Sequence, residues 1–341
     1  MSSPNALGHD YSGARLFESL RDTLPPSLVP DKSKIIVVVA LSYYVTGLLG
    51  VRLATPHAGA TAVWLPAGVS LAAILLRGTR VWPGIFIGAV IVNLTVGVSI
   101  LPSLDIAMGS TLAAILGSRL INRFAQGTRS FFKSGDTLRF VLLVGLVTAL
   151  GAAFAVFILC GYHYAGWSEF MRLWRLWWVG DVLGTLLLTP FLVLLLGDKH
   201  PSLRLVELSE LTILLVGLSV VCVLNFGPPI FSWPPKSGLH YLCVPFLVWA
   251  AIRFCPLEAA GATFLVGGFT MWGSLHGYGF FATTSGVPII AAGYVVVVIA
   301  STMTIAATIY QQRKCSEDVL RLYYILKEKY EREIPEPRDT I

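Results

Sequence analysis

The stretch Trp177–Leu192, WWVGDVLGTLLLTPFL, sets an aspartate and a proline inside a run that is otherwise apolar for the length of a membrane helix. A carboxylate at the centre of a bilayer costs roughly 2.5–3.5 kcal/mol even on insertion scales, so Asp181 has to face something other than lipid. Residues three and four apart stack on a helix, which puts Asp181 on a face with Trp177, Gly180, Gly184 and Leu188. Gly180 and Gly184 form a small-xxx-small pair that lets a second helix approach closely. Asp181 is therefore expected in a packed interior, roughly 10 Å below the end of a helix that begins near Trp174.

The rest of the chain has the same character. Its 341 residues are 55% hydrophobic and only 13% charged, with a mean hydropathy of +0.73, whereas a soluble domain carries about 25% charged residues. The fold class is an all-α integral membrane bundle. Apolar runs at 34–54, 61–77, 82–100, 104–122, 138–160, 174–197, 208–226, 239–254, 256–275 and 287–311 give ten spans. Four of the runs are short or tightly joined, so eight spans with re-entrant pieces is the alternative. Arg77–Arg80, Arg119–Lys133, Lys199–Arg204, Arg253 and Gln311–Lys314 fall on alternate loops. Cytoplasmic loops collect Lys and Arg, so both termini are expected inside an inner (plasma) membrane, with an even number of spans. Arg52, Arg172, Arg175 and Lys236 come out on the far side. The net charge of +6 is accounted for by this pattern and asks for no nucleic acid. Residues 1–33 are polar and lack a cleavable signal pattern, so they read as a cytoplasmic segment ahead of a membrane domain at 34–311.

No hydrolase elbow, P-loop, dinucleotide fingerprint or HExxH occurs, and the five cysteines lack ligand spacing. His57, His163, His240 and His276 fall near outer ends of spans among many aromatic residues. They form either an interfacial belt or a metal or haem site assembled by the fold. Asp181 needs a partner, with Arg175, Arg172 and Arg52 the outer cations and a bound ligand the other choice. Asn93, unpaired in its own run, is expected to bond across helices. Glu258 after Pro256 and Asp105 after Pro102 read as carboxylates at helix starts. In the tail, Val319, Tyr323, Leu326 and Tyr330 recur at spacings of four and three. Residues 312–341 are thus either a solvated helix leaving the last span or a signalling linker.

The block WLPAGVSLAAILLRGTRVWPGIFIGAVIVN (Trp64–Asn93), followed by Trp177–Leu192 and by RFCPLEAAGATF (Arg253–Phe264), resembles the membrane-associated sensor domain of type one. That family is the polytopic input domain of bacterial histidine kinases and diguanylate cyclases, and the resemblance covers about residues 35–310. Trp64, Pro66, Gly68, Trp82, Pro83, Asn93, Trp178, Gly180, Asp181, Gly184 and Pro190 match its motif pattern by position. The resemblance implies perception and transmission of a signal, with no chemistry of the domain's own and no cofactor named. The implied partners are the bilayer, a cytoplasmic kinase or cyclase output domain or a partner protein, a second copy of the chain, and a small-molecule ligand. The chain carries no H-box, GGDEF or ATP-binding motif, so no transmitter activity is expected of it. It reads either as an input domain cut from a longer protein or as a stand-alone sensor. The signal-sensing candidates are Asp181, Arg175, Arg52, Trp178, Asn93, His163, His240 and His276. The rival readings are a small-molecule transporter and a haem- or metal-binding membrane protein.

Overall fold

The computed structural model describes residues 32–52, 62–197, 205–228, 239–283 and 289–333. Most of the polar N-terminal segment, His57, the Lys199–Arg204 loop, Lys236 and residues 334–341 lie outside the described residues.

Among the described residues the chain is helical, with no strand. Ten α-helices follow one another: α1 (Lys32–Arg52), α2 (Leu65–Arg77), α3 (Trp82–Thr95), α4 (Ile100–Phe124), α5 (Ser134–Gly161), α6 (Phe170–Leu195), α7 (Leu205–Phe226), α8 (Cys243–Arg253), α9 (Pro256–Leu275) and α10 (Ile289–Glu333). Each apolar run of the sequence became a helix. Proline opens α2, α3 and α9, where its missing N–H costs nothing and its fixed φ suits the first turn. Gly78 ends α2 at φ +79, with its N–H on the Ile74 carbonyl at 2.8 Å; a side chain at that φ would be strained.

Among the described residues, six helical stretches are long and apolar enough to cross a membrane: α1, α4, α5, α6 with the short turn before it, α7 and α10. The sequence reading of eight to ten is not reproduced, and α2 shows why. Its apolar run starts at 61, yet the Trp64 N–H is bonded to the Gly180 carbonyl at 2.8 Å, well down α6. The helix begins only there and has 13 residues, roughly 20 Å against a hydrocarbon core of about 30 Å.

Glycines set the closest helix crossings. A methyl group on Gly184 would overlap the Trp64 carbonyl and the Leu65 nitrogen, and one on Gly68 would overlap the Gly184 carbonyl. The backbones of α2 and α6 therefore touch, and Thr189 Oγ1 adds a bond to the Gly68 carbonyl at 3.1 Å. Gly84 and Gly88 of α3 do the same against Ile36 and Ala40 of α1. Outside these contacts, Val38, Leu142, Val206 and Val297 point outward from α1, α5, α7 and α10, each at least 60% exposed. An apolar surface of that extent requires a bilayer around it.

The two ends of the bundle differ in charge. At one end Arg313 of α10 donates to the Ile252 and Arg253 carbonyls at the close of α8, and Phe132 packs on Tyr310 at 4.9 Å. Arg253 is clasped by Glu210 at 2.8 and 3.0 Å, and Trp249 Nε1 donates to the same carboxylate at 3.1 Å. Of the loops read as basic, Arg119–Lys133, Arg253 and Gln311–Lys314 are thus gathered together. The opposite end is rich in aromatic residues, with Tyr164 on Ser99, Tyr162 on Asp105 and Tyr294 on the His240 carbonyl, at 2.9–3.0 Å. Because the Arg253–Glu210 pair is partly exposed, Glu210→Gln is expected to lower stability only slightly. Thermal unfolding in detergent checks this as a drop of a few degrees.

Candidate functional site: a cavity beneath Asp181

Six helices, α1 to α6, enclose a cavity of about 410 Å3. Its wall on α4 runs from Ile106 to Ile121 and on α5 from Leu159 to Val144 and Leu143. At 1.5 Å per residue that is a shaft more than about 20 Å long, lying along the helices. Val51, Val96, Val98 and Leu159 stand at the aromatic end; Leu71, Gly117, Ile121 and Leu143 lie toward the basic end.

Partway down, the wall turns polar. Trp177, Asp181 and Thr185 of α6 face the cavity at intervals of four. Tyr43 of α1, Trp64 before α2, Asn93 of α3 and Ser110 of α4 contribute the rest. The close α2–α6 crossing explains why these groups meet. It holds the start of α2 beside Gly180, one residue from Asp181, so Trp64 stands at the level of the carboxylate. The Tyr43 hydroxyl lies beside Ser110 and Trp64 and within the field of Asp181. The face read from the sequence is therefore divided. Gly180, Gly184 and Leu188 pack on α2, while Trp177 and Asp181 look into the cavity.

Asp181 is half-buried. Among the described residues the ion pairs are Arg139–Asp136, Arg172–Glu169 and Arg253–Glu210, and none includes Asp181. The arginines offered as partners lie elsewhere. Arg175 is exposed and donates to the Met171 carbonyl at 3.2 Å, Arg172 holds Glu169 at 2.5 Å, and Arg52 is exposed at the end of α1. A guanidinium keeps its own hydration at the membrane surface more cheaply than it enters the bundle, and the carboxylate is left to the cavity.

The other candidates divide. Asn93 lines the cavity, but its Nδ2 bonds within its own helix, to Ala89 at 2.9 Å, rather than across helices. Trp178 is turned away: it donates to Gly145 of α5 at 2.8 Å and stacks on Trp174 at 5.4 Å. His163 is exposed in the α5–α6 loop at φ +63. His276 is exposed and bonded through Nδ1 to the Trp272 carbonyl at 2.9 Å. His240 is 4% exposed, boxed by Tyr241, Phe280, Phe281 and Tyr294. Among the described residues no histidine lines the cavity, and no three of His, Cys, Asp and Glu converge as a metal set would. Two wall residues, Tyr43 and Ser110, were not singled out from the sequence. A tyrosine and a serine in apolar helices carry no distinguishing signal there.

No curated protein and no solved structure matched the chain. The MASE1 family model does, over residues 35–314, a span that takes in every helix lining the cavity and the membrane part of α10. The aligned region holds both close glycine crossings, the carboxylate between them and the helix that leads out of the bilayer. The chain belongs to the MASE1 family, the membrane sensory input domains.

Proposed function

We propose that the cavity under Asp181 is the stimulus-binding site of this sensor and that α10 carries its state out of the membrane. The observation that supports this is the packing of α10. It lies against α5 and α6, two walls of the cavity, and against the turn at Gly127–Phe132 that joins α4 to α5. The helix has 45 residues, roughly 67 Å, more than twice the hydrocarbon thickness. Its last part is exposed from Gln311 to Tyr330. What the sequence divided into a final span and a separate linker is one rod.

On this reading both termini lie in the cytoplasm at an inner membrane. The shorter helices α2, α3, α8 and α9 complete ten passes with their neighbours, and residues 312–341 present the signal to a kinase or cyclase output domain. A guest that prefers one packing of α5 and α6 shifts the population of α10 positions by its differential affinity, through helix displacements on the order of 1–2 Å.

A chimera with a diguanylate cyclase fused after residue 341 tests this. Ala113→Phe fills the shaft and imitates permanent occupancy, so cyclase output is expected to move at least tenfold from wild type and to lose its response to stimulus. If the variant, inserted at the wild-type level, gave wild-type output, the cavity would have no sensory role.

A further inference from the structure

The unspent groups of the cavity wall specify a class of guest, on the reading that this cavity is where the stimulus binds. Most polar side chains there have already committed their protons. Ser70 donates to the Pro66 carbonyl at 2.7 Å and Thr148 to Val144 at 2.7 Å. Asn93 has committed one of its two amide protons to the Ala89 carbonyl, which leaves the other and Oδ1 for a guest. Asp181 brings two carboxylate oxygens that no described residue bonds or ion-pairs. As donors the wall offers the indole N–H of Trp177, buried and without a partner, and the hydroxyls of Tyr43 and Thr185. Asp181 is thus the one acid among the described lining residues, and no Lys, Arg or His faces it there.

Each class of guest meets that wall differently. An anion would face a carboxylate with no described cation beside it. A metal ion would find one carboxylate where it needs several oxygen or nitrogen donors. A sugar or other polyol would lay most of its hydroxyls on Leu71, Ile121, Leu143, Val144 and Val147, where nothing can bond them. An organic cation fits throughout. Its N–H groups or positive charge meet Asp181, and the rings of Tyr43, Trp64 and Trp177 stand in the wall around it, the kind of surface that attracts ammonium groups. Its carbon body then fills the apolar shaft, and 410 Å3 suits a small organic molecule.

We infer that the cavity binds an apolar amine, with its ammonium group at Asp181 and its hydrocarbon or aryl body directed down the shaft toward Ile121. Asp181 selects the charge; the α4–α5 wall selects the size and polarity of the body.

The test is calorimetry on the full chain in phospholipid nanodiscs, with empty nanodiscs subtracted to remove partitioning. The cationic probes are phenylethylamine, octylamine and benzyltrimethylammonium. Phenylethanol and phenylacetate serve as the neutral and anionic counterparts. At least one cation is expected to bind saturably, one per chain, tenfold or more tighter than phenylethanol, with no binding of phenylacetate. Asp181→Asn should remove that preference and Asp181→Glu retain it, which separates charge recognition from a folding defect. The assignment is overturned if phenylethanol binds as tightly as the best cation, if Asp181→Asn keeps the preference, or if none of the three cations binds. Those results would leave the sensory cavity standing, because the Ala113→Phe cyclase chimera reads that role without any amine.

Discussion

Gly184→Ala is expected to be among the most damaging single-methyl changes in the chain. The added carbon would overlap the Trp64 carbonyl and the Leu65 nitrogen, which are backbone atoms fixed by the bond from Trp64 to Gly180. No rotamer change relieves that overlap; α2 has to move away from α6. Overpacking of this kind costs typically 1–3 kcal/mol and more when the neighbour cannot yield, so about 3 kcal/mol is the expected loss. Gly268→Ala on α9 meets nothing within 4 Å and should change stability by less than about 0.5 kcal/mol. Denaturant unfolding in mixed micelles measures both. The consequence reaches the site, since separating α2 from α6 withdraws Trp64 from Asp181 and opens the collar of the cavity.

The second large effect concerns α10. If the helix transmits as a rod, its output depends on which face it presents, and each inserted residue turns that face by about 100°. In the cyclase chimera, inserting two alanines after Glu317 turns the distal helix by roughly 200° and is expected to change output at least tenfold. An insertion of seven residues turns it by nearly two full circles and should restore most of the wild-type response. Equal output from both insertions would mean that the segment after residue 311 acts as a flexible tether. The stripe of Val319, Tyr323, Leu326 and Tyr330, each about 60% exposed or more, is the face whose direction these insertions alter.

These features were legible in the sequence to different depths. The ten helices follow from apolar runs bounded by Pro, Gly and basic residues. The run at 256–275 became a helix with the same limits, because Pro256 and the turn after Leu275 fix both ends locally. Span count was not legible, since it depends on where backbones dock. Nothing local in Thr61–Trp64 announces that the chain is held at the depth of Gly180. Asp181 and Asn93 stood out because a polar group in an apolar run is conspicuous. Their partners did not, because an arginine near in sequence is as free to turn toward water as toward the bundle, and Arg175 turns to water. Trp178 matched the family pattern by position yet lies on the α5 side of α6, and Trp177 one residue earlier faces the cavity. His163, His240 and His276 lie in separate surroundings that hydropathy does not reveal.

The central claim is that the state of the cavity sets the position of α10. Spin labels can read this without an output domain. Cys315 is exposed on α10 beyond the basic end, and Arg129→Cys places a second label on the turn at Gly127–Phe132, with Cys255→Ala removing the other half-accessible thiol. Pulsed electron-spin distances in nanodiscs are then compared between this background and the same background carrying Ala113→Phe. The account predicts that filling the cavity shifts the main distance by about 2 Å or more, or exchanges one population for another. Superimposable distributions, with the variant folded and inserted, would contradict it.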